Sequence, residues 1–308
     1  MVTRWTTVHV VLLCLGVGSG LVQSCSSDAD RWPPPQPGAV ADTFPETVPV
    51  LVGAGDIAEC GSRAAAATAA LLDAIAGTVF TAGDNAYGDG TASEFARCYD
   101  PTWGRHKART RPSPGNHDYD TKGAVPYYTY FGARAGPEGR GYYSYDLGDW
   151  HVVSLNSNVD MSVGSPQETW LRADLAATTQ RCTVAYWHHP RFSSSTAHGS
   201  QQQTQPLWQA LYDHAAEVVI GGHDHTYERF APQTPAGTAD PDRGIRQFVV
   251  GTGGKDHYDF GPPLPNSEVR DNTSYGVLKL TLDPGSYSWA FLPAAGGTFA
   301  DSGRGTCH

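Results

Sequence analysis

Between Gly55 and His225, five short strand-like runs break off at a glycine or histidine, and each delivers side chains of metal-binding type. They end in Gly55-Asp56-Ile57-Ala58, Gly83-Asp84-Asn85-Ala86-Tyr87, Gly115-Asn116-His117-Asp118, His188-His189-Pro190 and Gly222-His223-Asp224-His225. The last follows Glu217-Val218-Val219-Ile220, an apolar run that reads as a buried strand, and Gly221 and Gly222 let the backbone turn tightly behind it. Two histidines at i and i+2 on a loop leaving a strand can aim both imidazoles at one place, a supply of borderline nitrogen ligands. Taken singly, a His-x-His also fits a surface loop, and a Gly-Asp is commonly a turn in which the carboxylate bonds its own backbone. Five in order are hard to explain as turns alone. In layered sheets ligands bind beyond the carboxyl ends of the strands, which is where every candidate here falls.

The remaining periodicity fits that placement. Residues 48–53, 78–82, 183–187, 217–220 and 247–250 read as strands, and 62–76, 166–179 and 204–216 as helices. Ser62 is a candidate N-cap, and Ser165-Pro166-Gln167-Glu168 reads as a capping box with proline at the first helical position. Residues 142–145 and 150–155 form a predicted hairpin through Leu147-Gly148-Asp149, and 276–282 with 286–291 a second. Strand–helix alternation followed by strand pairs predicts a mixed α/β layered domain.

With 308 residues, 40% hydrophobic and 17% charged, the chain can bury the core of one large domain. A formal charge of −10 without a basic run points away from nucleic acid as a partner. Arg4 followed by the mostly apolar residues 8–22 reads as a secretory signal, too short and glycine-interrupted for a comfortable membrane span. It ends in Leu21-Val22-Gln23-Ser24-Cys25, which resembles a bacterial lipoprotein processing site. The expected organisation is a signal peptide over 1–24, a flexible tether over 25–45 containing Trp32-Pro33-Pro34-Pro35-Gln36-Pro37, and one globular domain over 46–308. The protein is then exported, either lipid-anchored through Cys25 on the outer face of the cell membrane or secreted. Beyond Cys14 and Cys25 four cysteines remain, an even number that suggests two disulfides in an oxidising compartment, with free buried thiols as the alternative. Cys60 and Cys98 are expected to pair because both follow strand-end loops on one side of the sheet, leaving Cys182 for Cys307.

Taken together, the five motifs resemble the calcineurin-like metallophosphoesterases and, among them, the purple acid phosphatases, whose motifs run GDxG, GDxxY, GNH(D/E), VxxH and GHxH. The resemblance runs from Gly55 to Arg229. Ala58 replaces a glycine of the first motif and Ala185 the valine of the fourth, which here reads Ala185-Tyr186-Trp187-His188; neither change removes a ligand. The resemblance implies an α/β fold, a layered αββα sandwich of mixed sheets with flanking helices, with 46–308 as the catalytic domain. It implies that Asp56, Tyr87 and His225 hold Fe(III), that Asn116, His188 and His223 hold a divalent ion (Zn, Fe or Mn), and that Asp84 bridges the two. Hard anionic oxygens suit the ferric ion, and imidazoles with a neutral amide suit the divalent one.

His117 is implied to sit beside the phosphate as charge stabiliser or proton donor, with an orienting role as its rival reading. His198 resembles the family's substrate-side histidine, and a surface-loop histidine is the alternative; His189 is another candidate for the pocket edge. Tyr227-Glu228-Arg229 is assigned to packing and a salt bridge, and His106, His151, His214 and His257 to structure. Loops at 127–131, 192–203 and 251–265 are expected to shape the pocket mouth. The implied function is hydrolysis of small phosphate monoesters by a binuclear phosphatase that uses a metal-bound hydroxide. Alternatives are a phosphodiesterase on the same scaffold and a non-catalytic binding protein that keeps the fold.

Overall fold

The computed structural model describes residues 48–308; the expected signal segment, Cys25 and the tether lie outside the described residues. Two mixed sheets form the centre. One has six strands in the order Asp301–Thr306, Ser286–Pro293, Gly276–Asp283, Val50–Ala54, Thr78–Ala82, Thr110–Ser113. The other has seven, in the order Ser267–Asp271, Tyr227–Phe230, Arg246–Val250, Val218–Gly221, Cys182–Tyr186, Trp150–Ser154, Tyr143–Leu147. The central strands of each sheet run parallel, so their carboxyl ends and the loops that follow lie on one side.

Alternation along the second sheet separates two cores. Val152, Val184, Val218, Ile220 and Phe248 share a core with Leu51, Phe80, Leu278 and Leu280 of the first sheet. Their neighbours Val153, Ala185, Val219 and Val249 face the other way, onto Leu171 and Leu175 of helix Pro166–Ala177 and Leu207, Trp208 and Leu211 of helix Gln205–Asp213. On the opposite face of the first sheet, to which alternation turns Val52 and Val79, Ala65, Ala69 and Leu72 of helix Ala64–Asp73 belong to the same contiguous apolar cluster. The layers are therefore helix, sheet, sheet, helix, the sandwich implied by the motifs.

Both expected hairpins form. Cys60–Cys98 and Cys182–Cys307 are bonded, with Cα atoms 5.0 and 5.6 Å apart. Cys98, however, sits in a wide helical turn, Phe95–Tyr99, rather than in a strand-end loop. The helix expected from Ser62 starts at Ala64 and ends at Asp73; Arg63, not Ser62, holds the N-cap position, and Ser62 Oγ accepts Ala64 N–H (3.2 Å) from one residue further out. At the next helix Ser165 Oγ accepts Glu168 N–H (3.2 Å), but Glu168 turns its carboxylate to Gly164 N–H (3.0 Å), so the box is half formed. Residues 127–131 are no loop: they lie in helix Val125–Phe131, with Tyr127, Tyr128 and Phe131 buried in the first core.

Candidate metal centre

Three of the motif residues leave their strands through left-handed backbone: Asp56 (φ 61°), Asp84 (φ 49°) and His223 (φ 69°). Residues other than glycine adopt this region uncommonly, Asp and His more readily than most, and such residues cluster at functional sites. Here a ladder between motifs holds them. Asp56 N–H donates to the Gly83 carbonyl (3.1 Å), Ile57 N–H to that of Asp84 (2.9 Å) and Gly222 N–H to that of His188 (2.9 Å). Gly115 is needed for the close approach of the third loop, since a Cβ there would lie 2.0 Å from Asp84 Oδ1.

Each aspartate uses one oxygen to bind a neighbouring motif and presents the other. Asp56 Oδ2 accepts His223 N–H (2.8 Å) and Asp84 Oδ1 accepts His117 N–H (2.9 Å). The presented oxygens divide the donors. Asp56 Oδ1 lies 2.9 Å from the Tyr87 hydroxyl and 3.4 Å from His225 Nε2, and that hydroxyl is 3.2 Å from the same nitrogen. On the other side His188 Nε2 lies 3.0 Å from Asn116 Oδ1 and 3.1 Å from His223 Nδ1. Asp84 Oδ2 belongs to both groups, 2.8 Å from the Tyr87 hydroxyl and 3.3 Å from His188 Nε2. The structure thus brings together all seven residues singled out as ligands.

The chemistry of this donor set fits a cation. His188 Nδ1 faces the Ala82 carbonyl (2.9 Å) and His225 Nδ1 the Asp256 carbonyl (2.6 Å). A carbonyl only accepts, so both Nδ1 atoms carry a proton and both Nε2 atoms face into the cluster, where each would offer its lone pair to a cation. Around His188 Nε2 the remaining partners are an amide oxygen, a carboxylate and another imidazole nitrogen, a set in which acceptors outnumber protons. The electrostatics carry the same tension. Burial opposes a charge on His188, but Asp84 outweighs it and raises the imidazole to about 9. Burial likewise opposes ionisation of Asp84, yet His188 and His117 hold it well below the usual carboxylate range. Burial, with Asp56 and Asp84 beside it, pushes the Tyr87 phenol far above its ordinary value. A metal ion would take the place of the protons these pairs compete for.

His117 and His198 lie outside this convergence. His117 Nδ1 contacts the Gly88 carbonyl (2.5 Å) and Asp120 Oδ2 (3.2 Å), its ring lies against Tyr87, and its Nε2 is 3.9 Å from Asp84 Oδ2. His198 is exposed, its ring stacked on that of His223 with centroids 4.0 Å apart. His189 touches the cluster edge, 4.3 Å from His223 between centroids, with Nδ1 2.7 Å from Ser157 Oγ.

Sequence reasoning missed three residues here. Buried Asp118 accepts the N–H groups of Gly115 (2.9 Å) and Asn85 (3.2 Å) and the Asn85 side-chain amide (2.9 Å), fastening the second motif to the third. Its position inside Gly115-Asn116-His117-Asp118 was the available signal. Tyr258 stacks on His225 (3.9 Å, 17°) and Ser157 holds His189, and neither sits in a motif.

The calcineurin-like phosphoesterase family matches residues 40–227. Among curated relatives, purple acid phosphatase 21 of Arabidopsis thaliana is 32% identical over 225 residues, 64% of this chain and 51% of that protein. Purple acid phosphatase 22 of the same plant is 32% identical over 160 residues, 49% of this chain and 36% of the relative. The chain thus spans about half or less of the length of these relatives. Among solved structures, the purple acid phosphatase PPD1 from yellow lupin seeds superposes with a TM-score of 0.70 at 20% identity, covering 83% of this chain and 53% of that one.

Proposed function

The chain belongs to the calcineurin-like phosphoesterase family, and on that premise we propose that it is a binuclear-metal phosphatase of the purple acid phosphatase type, hydrolysing small phosphate monoesters. The observation that carries this reading is the division of the donors about Asp84 Oδ2. Asp56, Tyr87 and His225 would hold Fe(III), and Asn116, His188 and His223 a divalent ion (Zn, Fe or Mn), with Asp84 common to both. Hard anionic oxygens crowd the first group, and two imidazoles with an amide form the second, which is the distribution ligand softness favours for such a pair. Two ions held there would supply Lewis-acid charge to the phosphoryl oxygens and lower the pKa of a water.

The chain's own residues supply the rest. With Nδ1 held by the Gly88 carbonyl, His117 presents Nε2 toward Asp84 and the centre, where it can stabilise developing charge or protonate the departing oxygen. His198 offers an exposed imidazole at the mouth. Two disulfides support an oxidising compartment, and with it the export reading in which the protein is secreted or lipid-anchored through Cys25.

Metal analysis of the purified protein, run with assays on an aryl phosphate monoester and diester, tests the reading. Two metals per chain and preferential monoester hydrolysis are expected. A diester preference makes it a phosphodiesterase on the same scaffold, and a metal-loaded protein inert toward both is a binding protein.

A further inference from the structure

The packing and salt bridge expected of Tyr227-Glu228-Arg229 fall to its outer two members. Tyr227 packs on Phe291 and Phe299, and Arg229 pairs with Asp301 and Glu268. Successive residues of a strand face opposite ways, so Glu228 points to the other side. There it is fully buried and, among the described residues, in no salt bridge. Its carboxylate instead accepts Ser194 N–H (2.7 Å), Ser194 Oγ–H (2.5 Å) and Ser267 Oγ–H (2.6 Å).

Ser194 is the point where two loops meet. Its Oγ also accepts Leu264 N–H (3.0 Å), and its carbonyl accepts Gly261 N–H (2.8 Å). Two residues on, Thr196 N–H donates to the Asp259 carbonyl (2.9 Å). Each loop lays a ring over one histidine of the Gly222-His223-Asp224-His225 motif. His198 covers His223, Tyr258 covers His225, and the two covering rings lie 5.5 Å apart. Asp224, between the two covered histidines, accepts His198 N–H (3.2 Å) and secures the first loop from below.

We propose that Glu228 is a positioning residue for the pocket mouth: through Ser194 it locks residues 193–198 and 258–264 into one unit, and so sets where His198 and Tyr258 meet the leaving group of the phosphoester. This rests on the phosphatase reading above. Glu228 has no donor of the candidate metal centre among its hydrogen-bond partners. It acts through Ser194, whose amide donates to Oε2 and whose hydroxyl donates to Oε1 of the same carboxylate.

The test compares metal-loaded wild type with Ser194→Ala, which leaves Glu228 in place but removes the shared hydroxyl, and with Ser267→Ala, which removes a Glu228 bond outside the lock. Amide hydrogen exchange followed by mass spectrometry should show 193–198 and 258–264 opening together, about tenfold faster in Ser194→Ala, with strand Val218–Gly221 unchanged. Ser267→Ala should leave both loops as in wild type. KM for a bulky aryl phosphate should rise about tenfold in Ser194→Ala while kcat and metal content hold. Loosening of one loop without the other, loss of metal, or an unchanged KM in a variant that still hydrolyses the ester would overturn the inference. A wild type that hydrolyses neither monoester nor diester overturns the preceding reading instead.

Discussion

Asp84 Oδ2 lies 3.3 Å from His188 Nε2. Through that contact and the 2.8 Å hydrogen bond from Tyr87, one carboxylate oxygen joins donors that otherwise form two separate groups. Replacing Asp84 should therefore affect both positions, whereas replacing Asn116 should affect one. Asp84→Ala is expected to emerge from purification without either metal, and Asn116→Ala with the ferric ion retained. Metal counts by elemental analysis decide this, and two metals retained in Asp84→Ala would remove Asp84 from the bridging role.

His117 sits beside the donors without entering them, its Nε2 3.9 Å from the nearest oxygen of Asp84. His117→Ala should keep both metals and lower turnover by about 10²–10⁴-fold, the usual size of a general acid–base contribution. Loss of metal in this variant would make His117 a ligand or its direct support.

How stability depends on pH should be governed away from the metal centre. Burial raises the Glu217 carboxyl to about 8; Oε2 accepts Thr183 N–H (2.5 Å), and Oε1 has no hydrogen-bond partner among the described residues. The folded state therefore holds this proton more tightly than the unfolded chain does. The associated stability is complete below the ordinary glutamate range and is lost as pH rises through about 8. His151 acts in the same direction. Its burial lowers the imidazole, but Asp174 (2.9 Å) and Asp146 (3.0 Å) raise it further, so its contribution is full below the ordinary histidine value and lost as pH rises through the folded one. Glu217→Gln keeps an acceptor for Thr183. Urea melts should place it near wild type at acidic pH and about 1–3 kcal/mol more stable at alkaline pH; a parallel shift at both ends would show that titration is not the cause.

What could be read in the sequence was what the chain writes locally. Each of the five motifs follows a strand and turn within a few residues, so the candidate residues could be collected from the sequence, and the family resemblance then separated the ligands among them from His117 and His189. The contacts that orient them were not legible. Asp256, whose carbonyl fixes His225, lies 31 residues away, and Ser194 lies 34 residues from Glu228. The strand Asp301–Thr306 was invisible for a different reason. Gly303 and Gly305 give it little strand propensity, but a Cβ at either would collide with the ring of Trp289 or Tyr287, so the aromatic neighbours require what local sequence argues against. The same holds for Cys98, whose pairing was anticipated although its setting is helical.

The bond between Cys182 and Cys307 closes a separation of 125 residues and ties the end of the chain to a core strand of the second sheet, while Cys60–Cys98 spans 38. In the chain-entropy model the longer closure contributes about 5 kcal/mol and the shorter about 4 kcal/mol. Replacing Cys182 and Cys307 together by alanine should lower the denaturation midpoint more than replacing the other pair, with activity retained below it. Peptide mapping without reductant should recover both linked pairs, and four free thiols would contradict the pairing and the oxidising compartment with it.

Tyr87 distinguishes the purple acid phosphatase reading from other phosphoesterases on this scaffold. Its hydroxyl lies among three donors, 2.8 Å from Asp84, 2.9 Å from Asp56 and 3.2 Å from His225, in a buried place where two carboxylates oppose its ionisation. A phenolate in that position requires a strongly charged cation, and Fe(III) meets the requirement better than a divalent ion. Phenolate donation to the ferric ion absorbs visible light. Oxidised, iron-loaded protein should accordingly show a broad visible band that Tyr87→Phe abolishes. Hydrolysis should survive in part, because Asp56, Asp84 and His225 remain to hold the ion. If the iron-loaded protein is colourless, or if the band is unchanged in Tyr87→Phe, Tyr87 is a packed phenol hydrogen-bonded to its aspartates, and the first position belongs to a different metal.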